Sequence, residues 1–379
     1  MLAALRGRIV AGHFPPGARL PGRRALQSEF RAGAGTVQAA LNQLTREGFV
    51  TVRGGVGTMV SDRAPHLHRF AIVYPARPDD RRHWRHLWTV MQHEAQVVAE
   101  QHHCQIAGYH LDLDNDRSPR TLIGDLRNHR LAGVIFAYPA HDRQSRRVLA
   151  ELAALNVPGV ALSSDPGPKA RRVGDSIPTI GVDWSGFFEL ATQEALAHQR
   201  RRIAVLYYAK AMHAFAEPFD RLAATPGVKT GPHHWVPADL DAPEAVPNLM
   251  AMMMHAPADH RPDALIISDD NFSEPAMAGL LHAGVKIPDD LMLICHCNFP
   301  IPASQVLPNT RIGFDIPEMM RLAFETVRRP RDRKPDHVHQ QVRARRADAD
   351  RRTSSTVWLY PTSHRSFVSN GATSHLQEV

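Results

Sequence analysis

Residues able to do chemistry concentrate at three places in this chain. Asp269-Asp270-Asn271 ends the apolar run DALIISDD. Carboxylates and an amide at a strand end suit paired hydrogen bonds to vicinal hydroxyl groups. The plainer alternative is that one aspartate caps the next helix, a role Asp fills well. Cys295-His296-Cys297 lies on another apolar run. Successive strand residues point to opposite faces, so the two thiols could share a face that the imidazole could not. No second pair at ligand spacing accompanies them, and His102-His103-Cys104 has no evident partner, so no metal is expected. The third concentration is charge. Residues 1–63 hold nine arginines and no lysine against Glu29, Glu47 and Asp62, a net of +6 in a chain whose formal charge is +7. Residues 328–352 carry ten basic and four acidic residues, another +6, which leaves residues 64–327 at −5. A small basic module on a mildly acidic body is the electrostatic footprint of nucleic-acid binding, although a solvated basic surface reads the same way.

The bulk numbers exclude several classes. A length of 379 residues with 43% hydrophobic and 22% charged residues fits two or three globular domains with a real core. No run approaches the ~20 apolar residues of a membrane span. MLAALRGRIVAG is too interrupted by Arg6 and Arg8 to be a secretory segment. Three cysteines do not make a disulfide framework, and a cytoplasmic location is the default. No G-x-G-x-x-G, P-loop or nucleophile elbow opens a helix, so dinucleotide, nucleotide and acyl-transfer chemistry have no support. No cofactor is expected.

The elements that must position these groups begin with a compact module. Leu2, Leu5 and Ile9 repeat at helical spacing up to Gly12, and the FPPGARLPG connection that follows cannot be helical. A second helix fits Arg23 to Phe30. A third runs from Thr36 to about Glu47, with Val37, Ala40, Leu41 and Leu44 on one face. FVTVR and GTMVS flank a glycine-rich tip and predict a β-hairpin. Three helices and a hairpin make a winged helix-turn-helix.

This stretch resembles the DNA-binding domain of GntR-type regulators. The resemblance is carried, in order, by Ile9, Gly12, Pro16-Gly17, Leu20-Pro21, Arg24, Leu26, Phe30, Thr36-Val37, Ala40-Leu41, Leu44, Glu47-Gly48 and Gly57-Thr58. It implies a third helix in the major groove and a wing beside the backbone or minor groove. Phosphate anchoring then falls to Arg23, Arg24, Arg31, Thr36 and Arg53, with backbone N–H groups at Gly35 and at the wing-tip Gly55. Gln38 is placed to read adenine. Gly33 and Ala34 depart from the family, which usually has a polar pair such as Ser-Arg there.

Beyond a short polar linker the pattern changes. RFAIVYP, GVIFAYP, PGVALSS, PTIGVDW, RIAVLYY, DALIISDD and LMLICH are buried-strand runs separated by helix-length stretches, which predicts βαβ units and parallel sheets. The order resembles the sensor domain of LacI/GalR-type regulators, with a periplasmic-binding-protein-like fold. It is carried by IGVDWSGFFELATQEALAHQRRRIAVL and by LIISDDNFSEPAMAGLLHAGVKIPDDLMLICHCNFP. The resemblance implies two lobes with a ligand between them at the strand C-termini. It places the cleft acid on Asp270, with Asp269 and Asn271 beside it, and adds Asn298 and Arg221. Tyr138, Ser163, Ser164 and Trp84 follow strands and are weaker candidates.

The expected architecture is α/β: a winged helix-turn-helix at 1–62, a linker at 63–69, a two-lobed sensor with parallel sheets at 70–330, and a basic, disordered tail at 331–379. The expected function is a ligand-responsive transcription regulator that acts as a homodimer on palindromic double-stranded DNA, with a sugar-like effector and no membrane partner. The alternative is a small-molecule-binding protein whose winged helix has decayed, as Gly33 and Ala34 suggest. An enzyme ranks third. GntR-type domains are also fused to aminotransferase-like bodies, but this body is too short and shows no lysine in a cofactor-binding context.

Overall fold

The computed structural model describes residues 1–111, 119–163, 177–328 and 339–347. The N-terminal module is α1 (Leu2–Val10), α2 (Arg23–Phe30), α3 (Ala34–Arg46), β1 (Val50–Arg53) and β2 (Gly57–Val60). Leu5, Ile9, Leu26, Val37, Leu44 and Phe49 close its core, which is why the apolar positions of all three helices recur at three and four. The hairpin pairs Val50 with Val60 and Arg53 with Gly57. Its tip turns through Gly55 at φ 71°, a left-handed conformation that suits glycine. The α3 helix starts at Ala34, two residues before the expected Thr36, with Gly33 as an N-cap that makes no side-chain bond.

The expected polar linker is folded. α4 (Pro65–His68) occupies it, Ala64 is fully buried, and the His66 ring stacks on Phe49 at 5.8 Å between centroids. Two lobes follow. The first holds β3 (Arg69–Tyr74), α5 (His86–Gln101), β4 (Gln105–His110), α6 (Arg120–Arg127), β5 (Gly133–Phe136), α7 (Arg143–Leu155), β6 (Gly159–Ser163) and β7 (Thr179–Val182). The second holds α8 (Trp184–Ala197), β8 (Ile203–Tyr208), α9 (Met212–Ala224), β9 (Trp235–Ala238), α10 (Val246–Met254), β10 (Ala264–Ile267), α11 (Ser273–His282), β11 (Met292–Phe299) and β12 (Thr310–Asp315). Then α12 (Ile316–Val327) returns to the first lobe, β13 (His339–Val342) joins its sheet, and β14 (Ala344–Arg346) joins the other.

The strand orders are β13-β7-β6-β5-β3-β4 and β14-β12-β11-β10-β8-β9. Within these two sheets every described pairing is parallel except β12 with β14. Parallel strands covered on both faces explain the continuous apolar runs. The chain leaves the first lobe at Gly181-Val182-Asp183-Trp184 and returns at Gly313-Phe314-Asp315-Ile316. At each crossing the aspartate caps the next helix: Asp183 accepts from the Gly186 N–H at 2.9 Å and Asp315 from the Glu318 N–H at 3.2 Å. Gly313 is fixed by close approach, because a Cβ there would lie 1.8 Å from the Cys297 carbonyl oxygen.

The sensor therefore continues past residue 330, and the expected tail is corrected for 339–346. HQQV and ARR lack the apolar run of an interior strand because they form sheet edges. The arginines read there as tail charge are used in packing. Arg345 lies 3.4 Å from Asp315 and 4.2 Å over the Phe299 ring, and Arg346 pairs with Glu194 at 2.8 Å. The remaining stretches of that expectation, 331–338 and 348–379, lie outside the described residues.

Candidate functional site

At the C-terminal ends of the parallel strands, between the lobes, lies a cavity of about 310 Å³. The second lobe supplies its polar wall. After β10 the chain makes a single 3₁₀ turn over Asp270–Phe272, and Asp269 caps it, accepting from the Asn271 backbone N–H at 3.0 Å and its Nδ2 at 2.7 Å. The capping alternative thus holds for Asp269. Asp270 is freed to accept from Asn298 Nδ2 at 2.7 Å, on β11. Burial raises the Asp269 carboxyl above the usual carboxylate range, and burial together with the neighbouring Asp269 charge raises that of Asp270.

The first lobe reaches across. His86 donates its backbone N–H to Asn271 Oδ1 at 3.0 Å. Its Nε2 lies 2.7 Å from the Ile301 carbonyl, which only a ring N–H can donate to, and 4.0 Å from Asp270. Arg85 pairs with Asp241 at 2.7 Å, and Arg82 Nε donates to the Asp241 carbonyl at 3.0 Å. One short segment at the start of α5, Arg82 to His86, therefore holds the second lobe at Asp241, Asn271 and Ile301.

Of the expected effector residues, Asp269, Asp270, Asn271, Asn298, Tyr138 and Ser163 all line the cavity. The Tyr138 hydroxyl lies 2.8 Å from Ser145 Oγ. Arg221 is a correction: it stands on the solvent side of α9, paired with Glu217, while Phe215, Phe219 and Leu222 of that helix face the core. Trp84 packs on Tyr74 and Trp88, behind the wall. Ser164 lies outside the described residues. Sequence reasoning missed Arg85, Trp88, Trp184, Tyr208 and His296, which also line the cavity. Trp184 and Tyr208 directly follow or end strand runs and were open to the same argument; Trp88, inside a helix, carried no such signal. His296 was weighed only as a metal ligand.

In the N-terminal module the expected DNA-contacting groups lie on the outside. Arg23, Arg24, Arg31, Gly35, Thr36, Arg53 and Gly55 are exposed, and half-buried Gln38 donates to Asn42 Oδ1 at 2.7 Å along α3. The opposite end of α3 is tied to the sensor. Glu47, its C-cap, accepts from Arg6 of α1 and from Arg130 of the first lobe, each at 2.5 Å. Arg130 also pairs with Asp125 at 3.1 Å, and Arg6 donates to Asn128 at 2.8 Å. Burial alone would raise the Glu47 carboxyl, but hydrogen bonds from Gln43, Arg130 and Arg6 outweigh it and hold it low.

A winged helix-turn-helix set on a two-lobed sensor defines a ligand-gated transcription regulator, and comparison with known proteins gives the same class. Residues 2–60 match the profile of bacterial regulatory proteins of the gntR family, and residues 190–355 match that of the periplasmic binding protein-like domain. The chain joins a gntR-type DNA-binding domain to a periplasmic-binding-protein-like sensor. Its fold is similar to that of a LacI family transcriptional regulator from Lactobacillus casei with bound glucose, at 15% identity and TM-score 0.53, covering 74% of this chain and 98% of that one. It is similar to the transcriptional regulator CelR in complex with cellobiose, at 17% identity and TM-score 0.56, covering 92% and 97%. The lactose repressor bound to the anti-inducer ONPF matches at 14% identity and TM-score 0.56, covering 73% and 97%. A comparison with curated proteins gives no match. Among the described residues, no helix is long and apolar enough to cross a membrane.

Proposed function

We propose that the protein binds palindromic double-stranded DNA as a homodimer in the cytoplasm, and that a compact sugar-class effector held between the lobes changes that binding. The observation that carries this reading is the convergence of Asp269, Asp270, Asn271 and Asn298 on one cavity wall, next to a segment that bridges the lobes. Carboxylate and amide groups so placed bind paired hydroxyls, and the volume lies at the small end of the range of about 300–1,000 Å³ for ligand pockets, enough for one ring. Glucose and cellobiose in the neighbours named above support the class. The gating step is a population shift: effector favours the closed lobes, and the junction at Glu47 carries the change to α3. No catalytic role is assigned to any residue.

Capture of genomic fragments on the full chain, followed by sequencing, tests the reading. A recurrent palindrome is expected, and its neighbouring genes point to an effector panel for anisotropy titrations. One observation favours a second reading, a sensor whose winged helix no longer recognises sequence: Gly33 and Ala34 leave the start of α3 without polar side chains and without a side-chain cap. Capture with no sequence enrichment selects that reading.

A further inference from the structure

The charge balance of the cavity narrows the effector further, a step that rests on reading this cavity as the effector site. Asp270 is buried and Asp269 half-buried in its wall. Among the described residues, no lysine or arginine pairs with either. Arg85 spends its charge on Asp241, and Lys210 on Asp241 at 3.0 Å and Asp239 at 3.4 Å, so these nearby cations are already matched one for one. The His86 ring N–H goes to a carbonyl. Asn271 and Asn298 give the two carboxylates hydrogen bonds but no positive charge. Two adjacent carboxyl groups out of water without a lysine or arginine of their own resist ionising together, and a bound cation lets both ionise.

A second observation points into the same space. His296, 6% exposed, lines the cavity with its ring 5.3 Å from Trp184 and 5.4 Å from Phe314. Neither ring nitrogen has a hydrogen-bond partner among the described residues. A neutral imidazole there offers one donor and one acceptor to a hydroxylated guest. Trp88, Trp184, Tyr138 and Tyr208 also line the wall, and the face of an aromatic ring attracts cations as well as the apolar face of a sugar.

We propose that the effector is a cation: a compact hydroxylated ring bearing an ammonium group, which sits on the Asp269–Asp270 pair while His296 meets a hydroxyl. Calorimetry on the full chain at neutral pH tests this with matched series of neutral, amino and N-acetylated monosaccharides (gluco, galacto and manno), together with cyclohexylamine, an amine without hydroxyls. The amino member of at least one series should bind at least tenfold tighter than its neutral and N-acetylated counterparts, and Asp270→Asn should erase that preference while the variant stays folded by its melting curve. A neutral or N-acetylated sugar binding as tightly as the amine overturns the cation assignment and leaves the sugar reading standing. Binding of cyclohexylamine alone overturns the sugar reading and leaves the cation site. Silence across the whole panel overturns both.

Discussion

Asp270 shows how one side chain ties the cavity to the stability of the fold. Its carboxyl is raised from 3.8 to about 8 by burial and then by Asp269. The other groups that face it are His86, Asn271, Asn298 and the thiols of Cys295 and Cys297. The folded state holds this proton more tightly than the unfolded chain. Its contribution is thus fully present below the unfolded value and is lost as pH rises through about 8. The melting temperature of the ligand-free protein should therefore fall between about pH 5 and pH 8, and Asp270→Asn should flatten that slope. Equal slopes for wild type and variant would mean that Asp270 is ionised throughout. On the DNA side the residues divide by chemistry. Arg24→Ala should weaken binding to every duplex and lower the salt dependence, since each phosphate contact releases counterions. Gln38→Ala should relax preference at one base pair by about 1–3 kcal/mol. Anisotropy titrations across salt and operator variants separate the two, and indifference of both variants removes α3 from the groove.

The element that departs most from a simple two-module picture is the end of α3. Glu47 and Arg6 have side chains only 5% exposed, and Glu47 serves both Arg6 and Arg130. Glu47→Ala leaves a buried guanidinium without its partner, a loss of about 3–5 kcal/mol in such pairs, whereas Arg6→Met with Glu47→Leu should recover much of it by apolar packing. Urea unfolding measures both, and equal losses for the single and double variants would show that the charged network, which apolar packing cannot replace, holds the joint. None of this was legible in sequence, because Arg6 and Glu47 are 41 positions apart and Arg130 belongs to another domain. What was legible followed periodicity. Val37, Ala40, Leu41 and Leu44 announced α3, and ALII and MLIC announced the interior strands β10 and β11. Edge strands failed for the converse reason: β4 reads QIAGYH and β13 HQQV, with too few apolar residues to separate from loop. The cavity was half legible. Groups that end strands, such as Asp270, could be placed, while Trp88 needed the packing of α5 against the sheet, and Arg221 was misplaced because α9 turns that position to solvent.

At the scale of the whole molecule, an effector acts on DNA only through a structure that differs between the two bound states, and the coupling is reciprocal. In the mechanism proposed above, two joints connect the cavity to the DNA-binding module. The first is the bridge of Arg82, Arg85 and His86 onto the second lobe, which a closed cavity favours. The second is Arg130, which binds Asp125 within the first lobe and Glu47 at the end of α3. Arg130 touches neither cavity nor DNA-facing surface, so its substitution separates transmission from binding. Arg130→Met keeps most of the side-chain length and removes the charge that joins the domains. Effector affinity measured without DNA, and DNA affinity measured without effector, should both stay within about twofold of wild type, because distant sites are nearly additive. The ratio of DNA affinities with and without effector should shrink toward one. By linkage, the ratio of effector affinities with and without DNA must shrink by the same factor. Calorimetry and anisotropy on the same protein give both ratios. A variant that retains the full wild-type ratio would show that the signal leaves the sensor by another path, and the Glu47 joint would then be structural alone.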